Sequence, residues 1–272
     1  MTMSVPPTPT IMILAGQRLG KADPLALAHG QEHKCLIRLL DRPLIGYVLE
    51  AVDKAFPESP IVVSINDPAA LAGLPEVQPF LDSGRMRIVT ARSNLLESVL
   101  AAAGDIEFPL LMTTGDNVLV TSDAYRRFHT SALDQQADAA AMLAHKEDVL
   151  AEHPQAQSRF WKFADGEFSN CNAFWARDRE ALEIAEIFRG GGQFLKFPKR
   201  FVGAFGILNL IGYRFGKLRS QTMLERISRR FGKKIRVQIA ERGRFAIDVD
   251  DQDTSEVTER LLLQDAGIDP GR

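Results

Sequence analysis

Short apolar stretches alternate with amphipathic ones along the first half of the chain. Stretches typical of buried strands, apolar and rich in β-branched residues, occur at 11–14, 61–65, 87–90 and 109–113. Helical spacing of apolar residues occurs at 44–56, 95–103 and 122–133, with Ser122 in the position of an N-cap for the last of these. Strands that alternate with helices predict a mainly parallel sheet with helices on both faces.

The second half is less regular. Small apolar residues at 137–143 fit either a strand or a helix. Four further strands are predicted at 159–163, 172–176, 236–239 and 245–249. Helical spacing occurs at 182–188, 221–231 and 255–263. The predicted fold class is α/β, a Rossmann-like three-layer α/β/α domain over residues 10–268 with a mainly parallel, mixed sheet; residues 1–9, with three prolines, predict a flexible lead-in.

The composition is that of a globular protein, since 45% of the 272 residues are hydrophobic and 25% are charged. The formal net charge of −2 excludes a generally basic nucleic-acid-binding protein. Cys35 and Cys171 show no metal-site spacing. A reducing, cytoplasmic location is the simplest expectation.

The charge is unevenly distributed. Residues 196–244 contain 14 Lys and Arg against two acidic residues, a net charge of +12, which leaves −14 on the rest of the chain. This segment predicts either an anionic ligand or surface nearby, or a solvated basic helix beside an acidic body. Within it, residues 194–218 mix aromatics, glycines and cations. They fit a buried helix pair with basic edges, or an amphipathic element that contacts an anionic membrane on its inner face or a lipid-linked acceptor.

Chemically suggestive residues follow three of the predicted strands. Arg18 follows the first strand, Asp116 follows 109–113, and Asp248 and Asp250 end 245–249. Because ligands of open parallel sheets bind beyond the carboxyl ends of the strands, we expect these residues to share one edge. Mg²⁺ between the carboxylates would relieve their repulsion, while Arg18 and Lys34 would neutralise phosphate oxygens. These cations and carboxylates suit phosphoryl or nucleotidyl transfer. The sequence contains neither a P-loop nor a nucleophile elbow.

Several motifs recur in a familiar order. They are Leu14-Ala15-Gly16 with Arg18 and Gly20, then Lys34 before Cys35-Leu36-Ile37, then Asp41-Arg42-Pro43-Leu44-Ile45, then Asp116, and finally Ile247-Asp248-Val249-Asp250. In this the chain resembles the MobA-like nucleotidyltransferases of the glycosyltransferase-A-like fold. It departs from them in its first loop, where Gln17 follows Gly16 and the second glycine comes later. That departure predicts either a differently built phosphate cradle or a triphosphate that lies further out.

The resemblance implies roles for individual residues. It implies that Arg18 and Lys34 stabilise the triphosphate, that Asp116 and Asp250 with Asp248 hold Mg²⁺, and that the nucleotide contacts Leu14, Ala15, Gly16, Gln17, Ser98 and Gly115. Arg159, Lys162 and Asn172 are candidates for the acceptor pocket, against the alternative of a polar surface hairpin. We expect a variable acceptor-binding insertion at about 150–244.

The implied reaction transfers NMP from an NTP, CTP or GTP rather than ATP, to a phosphomonoester, with release of pyrophosphate. The acceptor is a sugar, alditol, lipid-headgroup or cofactor phosphate. Two alternatives stay open: a glycosyltransferase of the same fold that uses a nucleotide-sugar, and a non-catalytic nucleotide-binding or membrane-associated protein. Release of NDP in place of pyrophosphate, or NTP binding without turnover, distinguishes them.

Overall fold

A computed structural model of the chain describes residues 7–17, 22–188 and 198–268. Its strands are β1 (Thr10–Leu14), β2 (Arg38–Leu39), β3 (Arg42–Pro43), β4 (Ile61–Ile65), β5 (Met86–Thr90), β6 (Leu110–Thr114), β7 (Ala139–His145), β8 (Trp161–Phe163), β9 (Gly166–Ala176) and β10 (Ile235–Ile239). Its α-helices are α1 (Pro24–Ala28), α2 (Leu44–Ala55), α3 (Ala69–Ala72), α4 (Gln78–Asp82), α5 (Leu95–Ala102), α6 (Ser122–Asp134), α7 (Lys146–Glu152), α8 (Pro198–Phe205), α9 (Ile207–Arg214), α10 (Ser220–Phe231) and α11 (Gln252–Asp265). Turns of 3₁₀ helix lie at Lys34–Leu36, Glu180–Phe188 and Gly243–Ala246.

The main sheet has the strand order β10-β7-β9-β6-β1-β4-β5, with β8 paired to β9. Strand β1 pairs in parallel with β4 on one side and β6 on the other. The chain places β4 and β5 on one side of β1 and then β6 on the other side, so the order of the strands reverses at β1. This reversal leaves a crevice beyond the carboxyl ends of β1 and β6. Strand β9 runs antiparallel to its neighbours β6, β7 and β8, so the sheet is mixed, as predicted.

Helices cover both faces of the sheet. Alternate side chains of a strand point to opposite faces. Ile11 and Ile13 accordingly belong to a core packed by α2 and α6, whereas Met12 belongs to a second core packed by α5. The three-layer α/β/α prediction is confirmed.

The predicted strand at 245–249 is wrong. Residues Gly243–Ala246 form a 3₁₀ turn, and the chain continues in irregular, buried backbone. The Arg244 guanidinium pairs with Glu152 and Asp265, each at 2.7 Å, and the backbone of Asp148 leaves no room for a Cβ at residue 243. An apolar run that crosses a core without pairing in a sheet has the same sequence pattern as a buried strand.

The N-cap prediction for α6 is also wrong by one residue. Thr121 caps the helix by accepting a hydrogen bond from the Ala124 amide at 3.2 Å, and Ser122 is its first residue. In the basic region, α10 packs through Met223 and Ile227 on Leu218 and β10. Within the described ranges, no helix combines the length and the apolar character needed to cross a bilayer.

Candidate functional site

A cavity of about 490 Å³ opens beyond the carboxyl ends of β1 and β6. Its wall contains most of the residues predicted from the sequence: Leu14, Ala15, Gly16, Gln17, Lys34, Gly115, Asp116, Asn172, Asp248 and Asp250. Residues from the start of α1 and its cap complete the wall. The cavity thus lies at the crevice where open α/β sheets bind their ligands.

The loop after β1 is held by Asn66, which follows β4. The Asn66 side chain accepts a hydrogen bond from the Gln17 amide at 2.6 Å and donates one to the Gln17 carbonyl at 3.0 Å. A Cβ on residue 16 would lie 2.8 Å from the Cβ of Ala91, which follows β5, so a larger residue than glycine fits here only if one of the two loops shifts. The described part of this loop, up to Gln17, is therefore held by backbone contacts and by the Asn66 amide.

Close packing around Gly115 brings the strand ends together. A Cβ on this residue would lie 3.1 Å from the Cβ atoms of both Ala15 and Cys35. The 3₁₀ turn at Lys34–Leu36 therefore lies against the end of β6. This contact places Lys34 next to Asp116, the residue that follows Gly115.

The Lys34 ammonium lies between two carboxylates. It forms an ion pair with Asp116 and another with Asp250 at 2.5 Å. Burial by itself would lower the pKa of Lys34, but the two carboxylates outweigh burial and raise it above its ordinary value. Lys34 thus provides a positive charge in the wall of the cavity.

Three carboxylates surround this position. Asp116, Asp248 and Asp250 each offer an oxygen, and these oxygens lie within 4.8 Å of one another. Burial, followed by repulsion from Asp250 and Asp116, raises the pKa of Asp248 to about 8. Asp116 Oδ1 is buried and has no hydrogen-bond partner among the described residues. A set of hard oxygen ligands with an unpartnered buried oxygen fits Mg²⁺.

The late carboxylates are positioned by a helix start. Asp251 caps α11 and forms a capping box with Thr254. The Thr254 hydroxyl also accepts a hydrogen bond from the Asp250 amide at 3.0 Å, and the Val249 amide donates to the Asp116 carbonyl at 3.4 Å. Asp251 therefore lies at the helix start, and the same cap sets the backbone of Asp250.

The remaining candidates are placed less uniformly. Arg18 lies outside the described residues. Ser98 is buried in α5, where its hydroxyl accepts from the Arg92 amide at 2.8 Å and donates to the Asn94 carbonyl at 2.9 Å; it does not line the cavity described above. Arg159 and Lys162 are exposed and are likewise absent from that wall, and Lys162 lies 3.8 Å from Glu167.

Asn172 is the acceptor-side candidate that reaches the cavity. It sits in β9 with a φ of 48°, where the pairing of β9 with β7 shifts register. Its side-chain oxygen accepts a hydrogen bond from Asn170 at 2.9 Å, and its amide donates to the Asn170 side chain at 3.1 Å. Asn170 lines a neighbouring, largely apolar cavity of about 500 Å³ between the sheet and α10. The two hydrogen-bonded asparagines therefore line different cavities, Asn172 the first and Asn170 the second.

Sequence reasoning missed two residues of the site. Asn66 holds the β1 loop through its two hydrogen bonds with Gln17. Asp23 lines the cavity and caps α1 by accepting hydrogen bonds from the Leu25 and Ala26 amides at 3.0 and 3.1 Å. An Asp followed by Pro24 at a helix start was the signal available for the second. No comparable local pattern marks Asn66.

A comparison with known families gives one match. The sequence profile of the MobA-like NTP transferase domain matches residues 11–206. This range contains the β1 loop, Lys34 and Asp116, while Asp248 and Asp250 lie beyond it. No curated protein matches the chain.

Solved structures share the fold at low sequence identity. A hypothetical transferase from Thermus thermophilus superposes with a TM-score of 0.72 at 23% identity, over 92% of this chain and 100% of that one. The chain is also similar to a CMP:2-keto-3-deoxy-manno-octonic acid synthetase complexed with CTP (TM-score 0.58, 13% identity, 95% and 100% covered). A third similar structure is 4-diphosphocytidyl-2C-methyl-D-erythritol synthase from Anaerococcus prevotii DSM 20548 (TM-score 0.54, 11% identity, 94% and 95% covered).

Proposed function

Because the chain belongs to the MobA-like NTP transferase domain family and is a nucleotidyltransferase, we propose that it transfers NMP from an NTP to a phosphomonoester acceptor, with release of pyrophosphate. The observation that carries this proposal is the contact of Lys34 with Asp116 and Asp250 in the cavity beyond β1 and β6. One cation and three carboxylates beside a glycine turn are groups that a triphosphate and its counter-ion need.

In the proposed step, an oxygen of the acceptor phosphate attacks the α-phosphorus in line. The bond from the α-phosphorus to the oxygen that bridges to the β-phosphorus breaks, and pyrophosphate leaves with that electron pair. The acceptor is already an anion, so no general base is required. Lys34 then stabilises the charge that grows on the leaving phosphates, and the same role is proposed for Arg18.

Asp116 and Asp250, with Asp248, are the residues that would hold Mg²⁺. The ion supplies positive charge to the phosphate oxygens when bound. Lys34 neutralises two of the same carboxylates, so a bound cation would share these carboxylates with the Lys34 ammonium. We therefore propose that NTP and the metal ion bind to the site together.

The nucleotide is proposed to lie against the strand ends. Gly16, Gln17 and Gly115, with Leu14 and Ala15, form the wall nearest Lys34. A cytidine or guanosine nucleotide is proposed in preference to ATP, and the similar synthetase structure with CTP supports the cytidine alternative. Ser98 acts in this scheme through the loop at Arg92, which its hydroxyl holds.

The acceptor is proposed to enter beside Asn172. This residue lies on the side of the cavity formed by β9, opposite the β1 loop in the sheet order. The apolar cavity beyond Asn170 offers room for the part of the acceptor that carries no phosphate. A sugar, alditol, lipid-headgroup or cofactor phosphate is proposed as the acceptor, with Arg159 and Lys162 at the outer rim.

A thermal-shift panel tests the donor. CTP, GTP, UTP and ATP are added with and without Mg²⁺; a ligand at 100 times its Kd adds about 2.7 kcal/mol of stability. We expect CTP or GTP with Mg²⁺ to raise the melting temperature most. Pyrophosphate release is then measured with that NTP and a set of phosphomonoesters. No shift with any NTP, or release of NDP from a nucleotide-sugar in place of pyrophosphate, contradicts the proposal.

A further inference from the structure

Helix α9 turns an apolar face toward solvent. Ile207, Leu208 and Ile211, with the capping residue Phe215, are 54%, 69%, 48% and 72% exposed. Successive helix residues are about 100° apart, so these four side chains lie within one arc of about 100°. Of the ten exposed large hydrophobic residues in the part of the chain that the structure describes, four are within these nine positions. Such a concentration differs from the single exposed apolar residues of an ordinary surface.

The orientation of α9 is fixed by its polar side. Asn209 is 1% exposed, and its side chain donates to the Phe205 carbonyl at 2.8 Å and accepts from Arg226 of α10. The amides of Lys217 and Leu218 close the end of the helix on the Gly212 carbonyl at 2.8 and 3.0 Å. The helix therefore packs its one buried polar residue inward and leaves its apolar arc outside.

The stretch of sequence that carries this face has charge of one sign; from outside it, Asp165 lies beside Arg219 and accepts hydrogen bonds from Ser220. No Asp or Glu occurs between residues 198 and 224. Lys199, Arg214, Lys217 and Arg219 are exposed in the same stretch. An apolar arc with cations at its edges complements a surface that is apolar within and anionic outside. The exposed Leu95 and Leu100 of α5 lack this setting, because residues 92–107 contain three carboxylates.

We propose that the α9 face, defined by Ile207, Leu208, Ile211 and Phe215, binds the headgroup region of an anionic lipid bilayer. The four side chains enter the interface, and the flanking cations contact anionic headgroups. This mode is peripheral attachment by one helix face. It is independent of which nucleotide or acceptor the cavity binds, so its test is separate from that of the proposed function.

Vesicle sedimentation with the full chain is the direct test. The vesicles consist of phosphatidylcholine, with or without phosphatidylglycerol. We expect the protein to sediment with the anionic vesicles, to bind pure phosphatidylcholine vesicles much less, and to dissociate as salt is raised. Equal binding to both vesicle types, or no binding to either, overturns the proposal.

Two pairs of variants locate the contact. Leu208→Ser with Phe215→Ser removes apolar area from the face and is expected to lower the vesicle partition coefficient about tenfold or more. Leu95→Ser with Leu100→Ser is the matched control and should bind as the unmodified protein does. Arg214→Gln with Lys217→Gln should weaken binding to anionic vesicles, whereas Arg92→Gln with Arg242→Gln should not.

Folding and self-association are checked on the same samples. Circular dichroism checks that each variant is folded. If Leu208→Ser with Phe215→Ser unfolds the chain, vesicle binding by Arg214→Gln with Lys217→Gln tests the proposal instead. Sedimentation velocity tests for a second copy on this face. An equal loss of vesicle binding in both serine pairs, or in both charge pairs, contradicts the assignment. A dimer that Leu208→Ser with Phe215→Ser dissociates identifies a protein interface instead and also overturns it.

Discussion

The donor side and the basic side of the molecule are built in opposite ways. The donor side, consisting of the β1 loop, Lys34, the end of β6 and Asp248 to Asp251, presents groups held by buried strands and caps. The basic side, residues 198–231, presents side chains from exposed helix faces. A small displacement on the donor side moves several of the proposed site residues together, whereas a change on the basic side removes one contact.

This difference predicts different responses to substitution. On the donor side, single changes of minimal size should have large effects on catalysis, and second-site changes that restore space should restore function. On the basic side, effects should be graded and should follow the apolar area or charge removed. Each of the following substitutions tests which residues respond as the donor side is expected to.

Asp116→Asn should have the largest effect. It keeps the shape of the side chain but removes the charge that now pairs with Lys34 and that is proposed to bind Mg²⁺. Because such a ligand supplies several kcal/mol of charge stabilisation, the rate of pyrophosphate release should fall by a factor on the order of 10³. Steady-state release with saturating NTP and Mg²⁺ is the measurement.

The matched control is Asp123→Asn, which changes an exposed aspartate that pairs with Arg126 at the start of α6. Its release rate should be unchanged. Normal turnover of the Asp116→Asn variant would contradict the proposed role of Asp116 in the site.

The donor side could be predicted from the sequence because its signals are local. Short apolar runs that end in Gly16 or Gly115 mark both the strand and the turn that follows it. Strands β1, β4, β5 and β6 were accordingly predicted within one residue at each end. Lys34 and Asp116 could be brought together from the sequence only through the rule that ligands bind at the carboxyl ends of strands.

Other features depended on packing that no local pattern reveals. Residues 245–249 have a strand pattern, yet they pass through the core because Arg244 is held by Glu152 and Asp265. Asn66 looks like an ordinary end of a strand, and its bonds to Gln17 join loops 49 positions apart. Strand β9 begins at Gly166, six residues before the predicted start, because the prediction did not anticipate the change in register near Asn172.

Gly16→Ala should have the next largest effect. The new Cβ would meet the Cβ of Ala91 at 2.8 Å, and overpacking of this kind costs about 1–3 kcal/mol. The β1 loop has to shift, so we expect the KM for NTP to rise about tenfold or more. Gly73→Ala is the matched control, because no atom lies within 4 Å of its added Cβ.

A second-site change makes this prediction sharper. Gly16→Ala combined with Ala91→Gly removes the opposing Cβ, and the KM for NTP should return most of the way to its original value. A double variant as impaired as Gly16→Ala alone would mean that the loop needs glycine for another reason, such as direct approach of phosphate.

Asn172→Gly should have the smallest effect of the three and should act on a different substrate. The backbone at this position has a φ of 48°, which glycine adopts without strain, so the change isolates the side chain. Loss of one side-chain hydrogen bond to the acceptor is worth about 0.5–1.5 kcal/mol, so the KM for the acceptor should rise about two- to tenfold. Initial rates measured over both substrates separate the two KM values. Because Asn172 reaches the cavity from β9 and makes its described hydrogen bonds with Asn170, the KM for NTP should stay unchanged. A rise in the KM for NTP alone would contradict this prediction and would place Asn172 on the donor side.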